Sequence, residues 1–501
     1  MTNRKTGTDI NREILYINKK KASFWQSLGR REVLALFKSV SKNVPAYRKF
    51  LKKSRISPQK IKSYNDFLNI PQINKKNYIS QHPIEDLTKK GSLSKPLIFT
   101  STSGSTGKSY YFHRSFKIDK NTSIAHELFF LNGNYKKNEP VLVIVCFGMG
   151  VWIGGLITYQ AFRIMQENGY NLSIITPGIN KEEIFRALKS IGPSFKNIIL
   201  VGYPPFIKDI VDEAPSKGIN WQNFKTRIIF AAEPFTEKFR DYIAKKAAVR
   251  NVFLDTMNIY GTAELGAMSF ETPLSIMIRR ICVKDVRLFH HIFSPINKTP
   301  TLTQYIPSFI NFTSDDGNIL VTGDNTIPLV QYALGDRGGV YSFKEVIKHL
   351  KELGVDIKRE ARKAKIEKEL YELPFVYVYE RDDMSTHFYG LQVYPEPIRD
   401  TLLKQPACDY LTGKFSLETK FDARQNQYFT VHLELRNNHG LPNVIKKAVL
   451  KLIVDSLENK NSEYRELHKF LGKRALPRLA FWPNGDPNYF KSGTKQKWVK
   501  K

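Results

Sequence analysis

The chain has 501 residues, 42% hydrophobic and 12% aromatic, which is enough apolar material for more than one core and too much for a disordered chain. Its formal charge of +31 and pI near 9.7 point to anionic partners (phosphorylated compounds, an acidic protein, a membrane surface or nucleic acid) or to a lysine-rich soluble surface. The lysines lie in short scattered runs, and no arginine-aromatic-glycine element of an RNA-binding module occurs, so nothing beyond net charge supports nucleic-acid binding.

The N-terminal stretch MTNRKTGTDINREILYINKKK has no apolar core of the kind a secretory signal requires. Only Cys146, Cys282 and Cys408 are present, far apart and never as C-x-x-C. That excludes a disulfide framework or zinc ribbon and fits a reducing cytoplasm.

At 99–109 the sequence FTSTSGSTGKS concentrates five hydroxyl side chains, two glycines and a lysine between Ser101 and Lys108. Glycines let backbone N–H groups approach an anion, hydroxyls add donors, and lysine adds charge, so the loop suits phosphate. A Walker A loop would need glycine where Thr102 stands. From composition alone, a flexible Ser/Gly linker stays open beside the phosphate cradle.

Residues 141–162, VLVIVCFGMGVWIGGLITYQAF, carry no charge over a membrane-spanning length. The β-branched first part and the glycines at 148, 150, 154 and 155 predict a buried strand, a turn and a core helix, with no transmembrane segment. Between about 95 and 340 short apolar runs alternate with helical stretches, the pattern of an α/β domain with largely parallel sheet. Strands are expected near 97, 141, 172, 197, 227 and 251, and helices over 181–191 and 236–248. A charge-rich stretch from about 343 to 370 reads as a solvated helix. After Pro374 the pattern changes to strands PFVYVYERDD, FSLETKF, YFTVHLEL and PRLAFWP with a helix over 444–457, a smaller α+β domain, and a hinge is expected near 375–383.

Seven motifs then stand in a fixed order. The loop at 101–108, CFGMGVWIGGLITYQAF at 146–162, VGYPPF at 201–206, AAEPFTEKFR and NIYGTAE at 231–240 and 258–264, QYALGDRGG at 331–339, and ERDDMSTHFYGLQVYPEPI at 380–398 together resemble the adenylate-forming superfamily of acyl-CoA synthetases. Their nearest likeness is to its phenylacetate-CoA ligase branch, and the lead-in FLNIPQINKKNYI at 67–79 attaches the N-terminal region to the large domain.

That resemblance implies a large N-terminal domain, 1–379, with mostly parallel sheets, and a mobile α+β lid, 380–501. Ser103, Gly104, Ser105, Thr106, Gly107 and Lys108 would hold the β and γ phosphates of ATP. Ala232, Glu233 and Pro234 would pack beside adenine, with Tyr260, Gly261 and Thr262 completing the nucleotide site. Asp336 would accept hydrogen bonds from the ribose hydroxyls, and Glu264 would ligate Mg2+. Asp383 would be the hinge pivot, preceded by the motif arginine Arg381, and Lys495 would be the catalytic lysine near the C-terminus, neutralising charge as carboxylate and α-phosphate meet.

The implied reaction is ATP-dependent activation of a small carboxylic acid, aromatic by analogy, to an acyl-adenylate. Acyl transfer follows to the thiol of coenzyme A or of the phosphopantetheine arm of an acidic acyl-carrier protein. Phe147, Trp152, Tyr203 and Phe206 are candidates to line the acid pocket. The sequence departs from the family pattern at Ala263, Ala333, Leu334 and Glu380, so a nucleotide-binding pseudoenzyme with this fold is the alternative.

Overall fold

The computed structural model describes residues 6–500 apart from 92, 94–96, 102–109, 134–135, 294–298, 382–385, 403, 437–439 and 491–498; side chains of 6–12, 380, 381, 396 and 400 are likewise left undescribed. One sheet of 11 strands dominates. Five parallel strands form half of it, in the order Leu172–Ile175, Val141–Cys146, Asn197–Gly202, Lys225–Ala231, Thr256–Thr262. Val141–Cys146 and Asn197–Gly202 are buried along their whole length, as expected of strands covered on both faces. The helices Ile153–Glu167, Lys181–Ser190, Pro204–Glu213 and Glu237–Lys246 make the crossovers.

From Thr256–Thr262 onward every pairing is antiparallel, through Gly266–Phe270, Thr301–Gln304, Phe375–Arg381, Leu329–Tyr341, Asn318–Gly323 and Ile310–Asp315. The strand Phe375–Arg381, expected at the start of the small domain, is thus inserted between two strands of the large sheet. Residues 251–255, expected as strand, form a turn: Asn251 Oδ1 accepts from the N–H groups of Phe253 and Leu254 at 2.9 and 3.3 Å, an Asx turn that diverts the backbone from the ladder. The charged stretch is two helices, Phe343–Glu352 and Ile357–Ala364, separated where Gly354 takes φ +79°. The segment 141–162 folds as strand, turn and helix, and among the described residues no helix is long and apolar enough to cross a membrane.

The N-terminal helices pack on this sheet. Ile14, Ile17, Trp25 and Leu28 share a core with Val141, Val143 and Val145, while Phe37, Tyr47 and Phe67 share another with Phe312 and Val330. At the other end, Leu411–Phe421, Gln427–Leu435 and Arg478–Trp482 form a three-stranded sheet backed by the helices Asn443–Lys460 and Ser462–Leu471. This C-terminal part docks on the helix Pro204–Glu213: Tyr389 donates to Asp209 at 3.0 Å, Arg474 pairs with Asp209 at 2.7 Å, and Lys208 donates to Asn426 at 2.7 Å.

Candidate active site

Order along the parallel half reverses at Val141–Cys146, because one crossover runs outward to Leu172–Ile175 while the following strands add on the opposite side. Such a switch point leaves a crevice beyond the carboxyl ends of its strands. A cavity of about 710 Å³ opens there, reached by Phe147, Tyr203 and Ala232, the residues that follow three of the parallel strands.

One wall of it is built from separated segments. Residues 232–236 connect a parallel strand to the helix Glu237–Lys246, whose N-cap Thr236 accepts from Phe239 N–H at 3.2 Å. Ala232 takes φ +74°, a left-handed conformation that L-residues adopt at a cost of about 1–2 kcal/mol. A buried ion network holds this loop. Arg279 donates to the Phe235 carbonyl and to Glu237. Glu237 also pairs with Arg240 at 2.9 Å, Arg240 reaches Glu271 at 2.7 Å, and Glu271 accepts from Asn258 N–H at 2.8 Å. Burial pushes the Glu237 carboxyl up, but Arg240, Arg279 and Arg280 outweigh it and hold it at about 2.

Tyr260, Gly261 and Thr262 lie at the end of the last parallel strand, and Tyr260 donates its hydroxyl to Asp336. Both line the cavity, as do Ala232, Glu233, Pro234 and Glu264. The Thr262 hydroxyl accepts from Leu265 N–H at 3.3 Å and so caps its own turn. Glu264, 3% exposed, lies in that turn; its carboxylate pairs with Lys75 at 3.2 Å and accepts from Tyr332 at 3.2 Å. Lys75 is brought there by the lead-in segment, where Ile73 bridges Tyr332. One carboxylate fits a magnesium ion carried in on phosphates, which takes most of its ligands from phosphate and water, and not an all-protein cage.

The candidate phosphate loop 103–108 lies outside the described residues, as do Asp383 and Lys495. The strands on either side of the loop pair antiparallel, Ser101 opposite Tyr111, and Ser101 and Tyr110 line the cavity. The described residues on either side of it thus stand at the cavity's edge. Arg381 is backbone-paired opposite Asp336. Of the four aromatic candidates, Phe147, Trp152 and Tyr203 line the cavity, with Phe147 and Tyr203 edge to face at 4.9 Å. Phe206 does not: as the third residue of its helix it turns into the core and is fully buried.

The C-terminal part supplies the remaining wall through His387, Gly390, Gln392, Tyr394 and Glu463. Gly390 N–H and the Gln427 side chain, the latter at 3.2 Å, donate to the Glu233 carboxylate. Burial pushes the Glu463 carboxyl up to about 7.

Two polar groups of the cavity wall have no role in the motif reading. Lys75 belongs to the lead-in segment, whose only sequence signal was its order before the loop. Asn258 sits two residues before Tyr260; its Nδ2 donates to the Glu233 carbonyl at 3.2 Å, and its buried Oδ1 has no partner.

No family model matches the chain. A phenylacetate-coenzyme A ligase of Aromatoleum evansii is 24% identical over 225 residues, 44% of this chain and 47% of that ligase. The chain thus spans about half the length of the curated relative it matches. Among solved structures, 2-hydroxyisobutyryl-CoA ligase in complex with 2-HIB-AMP and CoA in the thioesterification state is similar with a TM-score of 0.60 at 13% identity, over 96% of this chain and 90% of that one. The postadenylation state of that ligase with R3-HIB-AMP gives 0.51 at 14% identity, over 93% and 88%. Its open conformation gives 0.50 at 15% identity, over 94% and 90%. The fold is that of these ligases, a large α/β part followed by a smaller C-terminal part.

Proposed function

We propose that the protein is an acyl-adenylate-forming acid–thiol ligase. The observation that carries this reading is the convergence of the 232–236 loop, the Tyr260–Asp336 pair, Glu264 and the residues flanking the hydroxyl-rich loop on one cavity at the switch point. Adenine packs against Ala232 and Pro234, and Asn258 Oδ1 accepts from its exocyclic amine. Asp336, oriented by the Tyr260 hydroxyl, accepts from the ribose hydroxyls. The 103–108 loop with Lys108 grips the β and γ phosphates. Magnesium bound to those phosphates, with Glu264 as protein ligand, would supply charge neutralisation.

A carboxylate oxygen of the acid attacks the α-phosphorus in line, and the bond to pyrophosphate breaks. Nothing covalent passes through the protein, so the chain contributes positioning and electrostatics, with Lys495 and Lys75 as the cations on the phosphate side. A thiol then attacks the acyl carbon and AMP leaves with the electrons of the broken C–O bond. Glu463, standing in the wall supplied by the C-terminal part, accepts the thiol proton.

We read 380–501 as the lid, pivoting near Asp383, and coenzyme A or a carrier-bound phosphopantetheine as the acceptor; the basic surface suits either. The higher similarity to the thioesterification state supports a lid placed for the second step.

The test is pyrophosphate release from ATP and magnesium with pools of aryl, fatty and hydroxylated acids, with Asp336→Ala and Lys495→Ala as controls. Release that depends on one acid and falls in both variants is expected. ATP binding without release for any acid would favour the pseudoenzyme, the reading that the Ala263 and Ala333 departures suggest.

A further inference from the structure

A cluster of ligand-type side chains stands apart from the cavity. His349 and Glu352, three residues apart, project from one face of the helix Phe343–Glu352, and His291 meets them from the helix Val286–Ile292. The two helices are fixed by a shared core of Leu288, Ile292, Val346 and Leu350. The Tyr341 hydroxyl, just before the second helix, also donates to the Ile292 carbonyl at 2.9 Å. None of the three clustered residues lines the cavity.

Their ligand atoms converge. His291 Nε2 lies 2.9 Å from His349 Nδ1 and 3.3 Å from Glu352 Oε2, and His349 Nδ1 lies 3.7 Å from the same oxygen. Three atoms bound tetrahedrally to one zinc ion at about 2.0–2.1 Å stand roughly 3.3 Å apart, in the middle of that range. Hydrogen bonding alone does not satisfy the triangle, because a ring nitrogen offers either one N–H or one lone pair. If His291 Nε2 carries the proton, His349 Nδ1 turns a lone pair toward the carboxylate at 3.7 Å. If His349 Nδ1 carries it, the His291 lone pair faces the carboxylate at 3.3 Å. With both protonated, two N–H groups oppose each other at 2.9 Å. One cation at the centre meets all three lone pairs at once.

The donor set selects the ion. Hard cations such as magnesium and calcium take oxygen, whereas imidazole nitrogen suits zinc and its neighbours in the first transition row. The three side chains are 27–45% exposed, so water can complete the coordination. Lys348 lies beside the other carboxylate oxygen, Oε1, at 3.8 Å, which leaves Oε2 to the ion. We infer that His291, His349 and Glu352 form a site for a divalent transition-metal ion, zinc by its donor set, that bridges the helices Val286–Ile292 and Phe343–Glu352. The site stands independently of the acid-activation reading and of the magnesium that reading brings in on ATP.

The experiment is calorimetric titration of ZnCl2 into the full chain, prepared without a histidine tag and stripped with chelator. One tightly held zinc ion per chain is expected. His291→Ala and His349→Ala should each weaken it at least about 100-fold, since even losing a group that supports a ligand costs about 10–100-fold. Glu352→Gln, nearly isosteric, should weaken it at least about 10-fold. His290→Ala, at the exposed neighbouring position outside the cluster, should leave the affinity unchanged, as should excess MgCl2. Zinc should also raise the melting temperature of the wild type and not that of the His291→Ala/His349→Ala double variant. If a histidine variant does not fold, Glu352→Gln decides. Absence of zinc uptake, equal affinity in variants of the three residues, an equal loss in His290→Ala, displacement by magnesium, or an equal melting rise in the double variant would overturn the inference.

Discussion

The two ends of the cavity differ in what backs them. Behind the 232–236 loop, Glu237, Arg240, Arg279 and Glu271 form a closed buried network that reaches from the Phe235 carbonyl to the Asn258 N–H. At the opposite end Thr122, His126 and Trp152 keep polar atoms without partners. The 232–236 loop is thus backed rigidly from within, although Asn258 Oδ1 beside it has no partner.

Breaking the backed end should cost most. Glu237→Leu leaves Arg240 and Arg279 buried without their shared counter-charge and should destabilise the fold by about 3–5 kcal/mol, read by urea unfolding. Asp336→Ala should spare the fold and raise the KM for ATP about 100-fold, since two charge-assisted hydrogen bonds to ribose are lost. At the other end, Gly266→Ala projects a methyl group toward Ile157 and Ile118 and strains a left-handed backbone. The KM for the acid should rise at least about 10-fold with ATP binding unchanged, which calorimetry of each ligand would separate. Glu463→Gln should slow thioester formation while pyrophosphate release stays at the wild-type rate, a split that single-turnover measurements resolve.

The smallest effect concerns the docking of the C-terminal part. Burial pushes Asp209 up to about 6, against the opposing pull of Arg474 and Lys181. Between its ordinary 3.8 and 6 the folded state binds more protons than the unfolded one, so this carboxyl favours folding at low pH and loses that contribution as pH rises through 6. The melting temperature of the wild type relative to Asp209→Asn should rise on going from pH 7 to pH 5, by an amount on the order of 2 °C.

The backed end was the more legible one in the sequence. VLVIVC, NIILVG and RIIFA announced the parallel strands because burial on both faces demands unbroken apolar runs, and AAEPF and NIYGTAE stand directly at their ends. Thr122 and His126 gave no such signal. They sit in FKIDKNTSIAHELFFLN, a helix buried on almost every side, where the pattern does not say which residue faces a cavity. Only the crossing with Ile153–Glu167 and the approach of Gly266, about 140 residues away, places them along the cavity. Lys75 was hidden for a similar reason: its partner Glu264 is distant in sequence, and a lysine beside another lysine reads as surface. The placement of Phe375–Arg381 was concealed because a strand's composition does not tell which sheet receives it.

The grip on Glu233 has a consequence for timing. The carboxylate of Glu233, which lines the cavity, is held by Gly390 and Gln427, which belong to the C-terminal part of the chain. Any swing of that part away from the large sheet would first have to let go of Glu233, so the cavity wall would loosen in the same stroke. On the proposed reading, spent AMP would then depart together with the opening that admits the next ATP, and the order of events in a cycle would be written into two hydrogen bonds.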